Sequence, residues 1–325
     1  MMRNINKTFI LIEAVLAAAV AVLATMMIRE NTRGDLGKVS VIVQDSDDNQ
    51  WTAFKYGLRM AAADQRIEMF VVGTEGMMTA EEQEKIIYQE IDNGADAVIV
   101  QPVAGKDTEA MLARVENRVP VMLVGSDAAS DGGESGLPSV KPDNYALGKA
   151  LAEEVLKDYA GNLEGKTLGI VSETDAVEAS VNRRRGFEDV MNDTGVRTIW
   201  SVTGSFGEER GNSLGALPEA DLVAALDDNS LTAAGECSAS NNLHGAVVYG
   251  IGNSTEAVYY LDTGRVECLV VPDEFNVGYQ SLTEMAGRLK NPFRGLKDRK
   301  VSGTVIRREE LFTEENQDIL FTMSQ

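Results

Sequence analysis

Short apolar runs alternate with amphipathic segments from residue 38 onward. Four runs rich in β-branched residues are predicted to be strands, at Val39–Val43, Met69–Val72, Ala97–Val100 and Val119–Val124. Between them lie segments such as Ala80–Asn93, whose apolar residues recur at helical spacing and which Gly94 ends. Strands that alternate with helices of this length predict βαβ units and a parallel sheet.

The same alternation begins again near residue 143. A helix is predicted at Tyr145–Tyr159, a buried strand at Leu168–Glu173 and a second helix at Val177–Asn192. Four more strands are predicted, at Val196–Val202, Leu222–Leu226, Gly245–Tyr249 and Cys268–Val271. The stretches KVSVIVQDSDD at Lys38 and KTLGIVSETDA at Lys166 look like equivalent openings of two half-repeats. We therefore expect two open α/β lobes.

The amino-terminal part contains one long apolar segment. Phe9–Ile28 is twenty residues with a single charge, Glu13, and this is the length that a helix needs to cross a hydrocarbon core. Arg3 and Lys7 precede it, so an uncleaved helix would keep the amino terminus in the cytoplasm and place the residues after Met27 outside. We predict that residues 1–37 form a cytoplasmic stub, a membrane anchor and a linker.

Two other interpretations of this segment stay open. Ala19-Val20-Ala21 matches the cleavage site of a signal peptide, which would release a secreted form. The apolar run continues for seven residues past that site, which favours the uncleaved anchor. A buried core helix is the third interpretation, and the segment lacks the amphipathic pattern that would support it. No cysteine follows the run directly, so the sequence predicts no lipid attachment.

Composition narrows the class of ligand. The formal net charge is −21, and residues 1–33 carry +2, so the rest carries −23. Such an acidic surface repels phosphate backbones and anionic headgroups, which argues against a nucleic acid partner. It fits a neutral or cationic solute, but surface charge alone does not choose a ligand. Cys237 and Cys268 lie 31 residues apart outside any C-x-x-C spacing, so we expect no zinc site. Two such thiols are more often unpaired than bridged, and the sequence does not decide whether they pair. The only histidine, His244, precedes a predicted strand and is interpreted as structural.

Polar residues collect where the predicted strands end. In open α/β sheets, ligands bind beyond the carboxyl ends of the strands. The stretches at such ends are Asp45–Trp51, Glu173–Asp175, Asp227–Asn229, Gly252–Asn253 and Asp273–Glu274. They form a recurring ring of polar strand ends, which is where such sheets bind ligands.

Six stretches, in order along the chain, carry a resemblance to a known family. They are DSDDNQWTAFKYG, VPVMLVGSD, KPDNYALGKALAEEVL, SVNRRRGFEDVM, ADLVAALDDNSLTAAGE and VVPDEFNVGY. From Lys38 to its end the chain resembles the type I periplasmic sugar-binding proteins, the ribose- and galactose-binding group related to lactose-repressor core domains. The resemblance implies two Rossmann-like lobes joined by three crossing strands. It places the first lobe at residues 38–143 plus 273–302 and the second at residues 144–272 plus 303–325.

The resemblance also implies which residues bind the ligand. The first polar ligand of the family falls on Asp47 or Asp48, and the aromatic ring that follows it falls on Trp51. The arginine that clamps the sugar falls on Arg183, and a second ring falls near Phe206. Further ligand positions in the second half, and at the place where the chain recrosses, fall on Asp227, Asn253 (or Gly252) and Glu274.

This sequence departs from the family at three places. The Asp-Arg pair typical of ribose binders is Gly125-Ser126, with Asp127 beside it as the candidate ligand, so the resemblance does not point to ribose. The stretch between Phe206 and Leu222 is short and rich in glycine, which predicts a shortened helix. Pro272-Asp273-Glu274 replaces the glutamine common at the recrossing.

The predicted residues supply the chemistry of sugar recognition. Carboxylates accept strong charge-assisted hydrogen bonds from hydroxyl groups, and a flat ring covers the C–H face of a sugar. Arginine donates to sugar oxygens in a rigid fork. Trp51 could instead be a core residue, and Asp227 and Asp228 could cap the helix that follows them. Arg184 and Arg185 are predicted to be solvated.

Two further alternatives concern the kind of site. Asp45-x-Asp47-x-Asn49 suggests calcium but lacks the glycine and the glutamate of an EF-hand loop, so no metal or other cofactor is predicted. Several carboxylates could act as acid and base in a carbohydrate-active enzyme. The chain has no G-x-S-x-G, H-E-x-x-H, P-loop or G-x-G-x-x-G motif, which argues against an enzyme.

Together these patterns predict a membrane-anchored, extracytoplasmic, monomeric solute-binding protein without catalytic activity. It would capture a sugar or sugar-like ligand between its lobes for an ABC permease. The alternative is a tethered sugar sensor that acts on a sensor kinase.

Overall fold

The computed structural model describes residues 20, 37–44, 51–74, 78–105, 107–128, 136–204 and 211–321. The predicted anchor at residues 9–28 lies outside the described residues except for Val20. Within the described ranges, no helix combines the length and the apolar character that crossing a membrane requires.

The first sheet has six parallel strands in the order β11-β5-β4-β3-β1-β2. Its strands are β1 (Lys38–Gln44), β2 (Glu68–Thr74), β3 (Ala97–Val100), β4 (Val121–Val124), β5 (Ser139–Pro142) and β11 (Arg299–Val301). Strands β3 and β4 are apolar and buried along their whole length, which is expected for parallel strands with both faces covered. Five of its strands come from the chain before residue 143. The sixth, β11, comes from much later in the sequence and forms the edge of the sheet beside β5.

The second sheet repeats the strand order of the first. Its order is β12-β10-β9-β8-β6-β7, and β12 is antiparallel to β10 while the other pairs are parallel. Its strands are β6 (Thr167–Ser172), β7 (Arg197–Thr203), β8 (Leu222–Ala225), β9 (Val247–Ile251), β10 (Cys268–Pro272) and β12 (Gly303–Arg307). The chain therefore folds as two α/β lobes with parallel sheets.

Helices cover both faces of each sheet. They are α1 (Thr52–Gln65), α2 (Ala80–Asp92), α3 (Thr108–Glu116), α4 (Asn144–Asp158), α5 (Glu178–Met191), α6 (Asp228–Ala239), α7 (Thr255–Asp262), α8 (Glu274–Lys290) and α9 (Glu314–Phe321). On β1, Val41 and Val43 pack into one apolar cluster with α1 and α8, while Ile42 packs into a second cluster on the opposite face. A 3₁₀ segment at Gly211–Ala216 stands in the short stretch before β8.

Two closely packed helix pairs make the lobes alike. Helix α1 packs on α8 in the first lobe, and α4 packs on α5 in the second. A Cβ at Gly57 or Gly278 would collide with backbone of the facing helix, and the same holds for Gly148 and Gly186. Glycine at these four positions therefore allows the helices to approach at backbone distance.

The described chain passes between the sheets at three places: after β5, after β10 and between β11 and β12. After β5, Asp143 caps α4 by accepting a hydrogen bond from Ala146 N at 3.2 Å, and after β10, Asp273 caps α8 by accepting one from Asn276 N at 3.0 Å. The N–H of Asp143 donates to Val301 O at 2.9 Å and ties two passages together. The residue limits of the lobes given above stay a prediction.

Candidate functional site

A cavity of about 60 Å³ lies where the carboxyl ends of the strands of the two lobes meet. Trp51 reaches it from the first lobe, and Glu274 reaches it from the start of α8. The other lining residues come from the second lobe and from the passage after β10: Arg183, Asp227, Asp228, Ile251, Gly252, Asn253 and Pro272. Five of the predicted ligand residues thus line one cavity.

Trp51 is at once a core residue and a wall of the cavity. Its side chain is only 7% exposed and lies edge-on to Phe54, with ring centroids 5.4 Å apart. It precedes α1 directly, and its ring approaches Gly125 at the end of β4. The buried Nε1 donor has no acceptor among the described residues. The core alternative therefore holds for Trp51, and the same side chain also forms part of the cavity wall.

Arg183 is held in place by two neutral oxygen atoms. Its Nε donates to Asn144 Oδ1 at 2.8 Å, and its Nη1 donates to Leu226 O at 3.2 Å. Burial lowers the pKa of Arg183 from its ordinary value, and Asp227 and Glu274 oppose this shift. A guanidinium has five N–H donors, so a fixed fork with unused donors lines the cavity.

The neighbouring carboxylates of Asp227 and Asp228 organise backbone. Asp227 caps α6 by accepting from Ser230 N at 2.9 Å, and its second oxygen accepts from Glu173 N at 2.7 Å. Asp228 accepts from the N–H groups of Asn253 and Ser254 at 2.7 and 2.9 Å. The capping interpretation of Asp227 is confirmed. Both oxygens of this carboxylate already accept hydrogen bonds from backbone N–H groups, so any contact with a ligand would be a second role.

Asn253 and Glu274 present polar side-chain groups to the cavity. Asn253 is 6% exposed, and none of the hydrogen bonds found among the described residues involves its side-chain amide. Burial raises the pKa of Glu274 to about 7, with Arg183 lowering it and Asp273 raising it further. Near neutral pH this carboxyl can therefore either donate or accept a hydrogen bond.

This shift in Glu274 predicts a pH-dependent stability. The folded protein holds the proton up to about pH 7, whereas an ordinary glutamate releases it near 4.5, so the folded state binds more protons between these values. The free energy of unfolding should therefore fall as the pH rises through this window. Melting temperatures of the ligand-free wild type, of Glu274→Gln and of the exposed control Glu153→Gln test this. We expect a flatter profile for Glu274→Gln only, and equal slopes for all three would contradict the prediction.

Asp127 lies in a buried ionic cluster and is not among the residues that line the cavity. Lys141 Nζ forms ion pairs with the carboxylates of Asp127 and Glu178, and all three side chains are at most 5% exposed. Glu178 also accepts from Asp127 N at 3.1 Å. Burial lowers the pKa of Lys141, but its hydrogen bonds to both carboxylates outweigh this and raise the pKa. Because Glu178 opens α5, the cluster joins the two lobes.

Some of the other residues named in the sequence predictions lie outside the described ranges, and the structure places the rest. Asp47, Asp48 and Phe206, like the residues of the calcium alternative, lie outside the described residues and stay predictions. Arg184 is not solvated as predicted: it donates to Ser201 Oγ and Ser172 Oγ at 2.6 and 2.8 Å. Cys237 and Cys268 are both buried. Across the described ranges, no group of histidine, cysteine and carboxylate side chains could hold a metal ion.

Sequence reasoning missed Lys141, Glu178 and Asn144. Lys141 alone carried a local signal, because a lysine stands between apolar residues in the short run Ser139–Pro142. A charged residue in a buried strand requires a partner of opposite charge. The partners themselves had no such signal, since they lie 14 and 37 residues away from Lys141 along the chain.

Comparison with known proteins agrees with this geometry. The model of a family described as periplasmic binding protein domain matches residues 39–291. The D-ribose/D-allose-binding protein of Pseudomonas aeruginosa is 24% identical over 226 residues, which cover 65% of this chain and 67% of that protein.

Two solved structures show the same fold. A carbohydrate transporter solute-binding protein from Agrobacterium radiobacter, in complex with D-arabinose, has a TM-score of 0.76 at 18% identity, covering 88% of this chain and 99% of that one. The XylFII–LytSN complex gives a TM-score of 0.71 at 14% identity, covering 85% and 99%. With a family model that spans most of its length and a two-lobed fold around a polar cavity, the chain belongs to the periplasmic binding protein domain family, among its type I sugar-binding members.

Proposed function

We propose that this protein binds a small sugar or sugar-like polyol between its lobes, outside the cytoplasm, and passes it on unchanged. The observation that carries the proposal is the convergence of Trp51, Arg183, Asn253 and Glu274 on one cavity at the strand ends of the two lobes. A relative named as a D-ribose/D-allose-binding protein and a structural neighbour with bound D-arabinose support a monosaccharide of similar size.

The four side chains divide the work of recognition. Trp51 offers a ring face for C–H groups and one unpaired N–H donor. Arg183 donates to ring or hydroxyl oxygens, and its bonds to Asn144 and Leu226 fix the fork before the ligand arrives. Asn253 can donate and accept, and Glu274 accepts from a hydroxyl group or donates to an oxygen. Asp47, Asp48 and Phe206 remain proposed contacts on the strength of the family resemblance.

Binding in such a cavity requires movement of the lobes. A volume of about 60 Å³ is small beside the roughly 300–1,000 Å³ of usual ligand pockets, so a sugar enters when the lobes separate and is enclosed when they close. The three passages near Asp143, Asp273 and Ser302 are short, and they are the proposed hinge. Nothing in this cycle calls for catalysis, and we propose none.

A thermal-shift screen with pentoses, hexoses, polyols and furanosides tests the binding proposal. A ligand present at about 100 times its Kd should stabilise the protein by roughly 2.7 kcal/mol. Recovery of the ligand unchanged after incubation separates a binding protein from an enzyme. Absence of a shift with every member of the panel would count against sugar binding.

Arg183→Lys is the matched test of the site. Lysine keeps the charge but lacks the planar fork, so affinity for any ligand found in the screen should fall at least tenfold by calorimetry. Arg185→Lys is the control, because this neighbouring side chain is 69% exposed and pairs only with Asp189 at 4.0 Å. Wild-type affinity in Arg183→Lys would remove Arg183 from the site.

The amino-terminal segment bears on what the captured ligand is for. We propose that Phe9–Ile28 anchors the protein in the membrane, with a linker of nine residues before Lys38. Delivery to an ABC permease is the first proposed role. A sensor role is the second, because a short linker would keep the motion of the lobes close to a neighbouring receptor, and XylFII has been seen in complex with another protein, LytSN.

Deletion of the gene separates the two roles. Loss of labelled sugar uptake with intact sugar-induced transcription would support transport and exclude sensing. Loss of induction with intact uptake would support sensing and exclude transport.

A further inference from the structure

One stretch of this acidic chain is strongly basic and carries an exposed aromatic ring. Residues 288–300, RLKNPFRGLKDRK, contain six basic residues and one acidic residue, a net +5, so the rest of the chain carries −26. Phe293, in the middle of the stretch, is 97% exposed, the highest value among the large apolar side chains of the described residues. Burying this ring against another surface would be favourable.

The stretch lies at the edge of the first sheet that is opposite to the ligand cavity. Strands β4, β5 and β11 are parallel and begin at Val121, Ser139 and Arg299, so their amino ends share this edge. A cavity of about 500 Å³ runs along it. Its wall includes Arg118, Pro120, Pro138, Arg288, Phe293 and Leu296.

Strand β1 begins at the same edge. It is parallel to its neighbours, and Lys38, its first residue, is where the chain arrives from the apolar amino-terminal segment. Four strand spacings separate β11 from β1 in the sheet, a distance of roughly 19 Å. Ten residues lead from Ile28 to Lys38, which span at most about 35 Å when extended.

Ion pairs give the stretch a rigid base. Arg294 and Arg299 both pair with Glu284, at 2.8 and 2.5 Å, and the Glu284 side chain is only 2% exposed. Burial raises the pKa of Glu284, but the two arginines outweigh this and hold it below its ordinary value. The ion pairs therefore tie the chain that follows Phe293 to α8, and the ring is presented outward by a fixed scaffold.

Some positive charges in this region pair with carboxylates, and others are exposed to solvent without such a partner among the described residues. Arg118 pairs with Asp92 at 3.5 Å, and Glu116 and Asp298 line the cavity beside the arginines, so the cavity itself is close to neutral. The exposed positive charge lies at its rim. Lys290 and Lys297 are exposed. Among the described residues, Lys290 bonds only to the neutral Gln65 Oε1, at 2.9 Å, so no carboxylate there compensates its charge.

We propose that this surface, the basic edge (residues 288–300 with Arg118), rests on anionic lipid headgroups with the Phe293 ring at headgroup level. Basic side chains around an exposed aromatic ring fit the electrostatics and the amphipathic character of a membrane interface. A globular surface of the opposite charge could attract the lysines, but it would not explain why the chain enters at the same edge. This contact rests on the proposed tether.

The test uses the full chain in lipid nanodiscs with a fluorophore at Phe293→Cys. Both native cysteines are buried, so a thiol-reactive label attaches selectively to the new residue. Phe312→Cys is the matched control, because Phe312 is 61% exposed and follows β12 of the second sheet. We expect a quencher carried on lipid headgroups to quench the label at 293 several-fold more than at 312. The difference should be present in discs that contain phosphatidylglycerol and lost in discs of phosphatidylcholine alone.

Charge reversal supplies the second arm of the experiment. Lys290→Glu/Lys297→Glu in the Phe293→Cys protein should abolish the extra quenching, whereas Lys149→Glu/Arg185→Glu on the second lobe should leave it unchanged. Equal quenching at both label sites, or quenching that does not depend on phosphatidylglycerol, would overturn the basic edge while the protein remains in the disc. A photo-crosslinker at position 293 that captures protein instead of lipid in cells would also overturn it.

Failure of the tether gives a different result. If the amino-terminal segment does not anchor the protein, the full chain will not stay with the discs. Quenching of the label at position 293 is then measured after phosphatidylglycerol vesicles, with the quencher on their headgroups, are added to the free protein. Quenching there supports the basic edge without a tether, and its absence overturns the basic edge as well.

Discussion

Replacement of Lys141 by methionine is expected to lower the free energy of unfolding by about 3–5 kcal/mol. The substitution leaves the carboxylates of Asp127 and Glu178 buried, at most 4% exposed in their side chains, without their shared cation. Each carboxylate was desolvated on folding, and the ammonium group that they share offsets much of that cost beside neutral hydrogen bonds such as the one from Asp127 N to Glu178. Urea denaturation of the ligand-free protein measures the effect.

Lys149→Met is the matched control for this prediction. Lys149 pairs with Glu153 at 3.6 Å, but both side chains are 51% exposed, so its loss should cost no more than about 1 kcal/mol. The double variant Lys141→Met/Glu178→Gln should recover part of the stability, because one of the two orphaned charges is gone. If Lys141→Met and Lys149→Met are equally stable, the cluster contributes nothing and its burial has been misjudged.

The same cluster should influence closure, because it joins Asp127 and Lys141 of the first lobe to Glu178 of the second. Glu178→Gln removes one charge of the contact between the lobes. We expect the ligand-free protein to become more open, which small-angle scattering would detect as a larger radius of gyration. The proposed ligand would then bind more weakly, since part of its binding energy must close the cleft.

Trp51→Ala is expected to have the second large effect, on both affinity and stability. Removing the ring face should cost about 2–4 kcal/mol of binding energy, roughly a 30- to 700-fold loss of affinity. Because Trp51 is 7% exposed and packs on Phe54, the cavity left behind should also lower the free energy of unfolding by about 3–5 kcal/mol. Titration calorimetry at a temperature below the melting transition measures the loss of affinity. Urea denaturation measures the loss of stability separately.

Trp200→Ala separates the two roles of the tryptophan. Trp200 is partly buried against the core of the second lobe and donates from Nε1 to Pro218 O at 2.8 Å, but it does not line the ligand cavity. Its loss should lower stability without changing affinity. Trp51→Phe should keep most of the stability and part of the binding. Unchanged affinity in Trp51→Ala would show that the cavity is not the binding site.

The regular elements could be predicted because their patterns are local. Strand β3 was predicted at its observed bounds, and the helix predicted at Tyr145–Tyr159 differs from α4 by one residue at each end. Strands β5, β11 and β12 were missed. Each has only three to five residues and contains proline, arginine or lysine, so its local sequence lacks the apolar pattern that predicts a buried strand. Their strand conformation comes from pairing with distant neighbours.

The candidate site divides in the same way. The polar strand ends predicted that Trp51, Asp227, Asn253 and Glu274 meet, because parallel strands bring their carboxyl ends to one edge. Arg183 lies within α5 and was added by the family resemblance alone. The sequence could not decide what each group does there. Asp227 is engaged by backbone N–H groups, and Asp127 is neutralised by a lysine.

The sequence by itself determined the class of fold, the two-lobed repeat and the place of the candidate cavity at the strand ends, since these follow from hydrophobic periodicity and from residue types at strand ends. Only the tertiary structure decided which charged groups are free. Lys141 meets Glu178 across 37 residues of sequence, and Glu274 reaches a pKa of about 7 through burial among groups from other elements. Solvation and pairing of a charge depend on atoms that are near in space, and the passages between the sheets bring those atoms together.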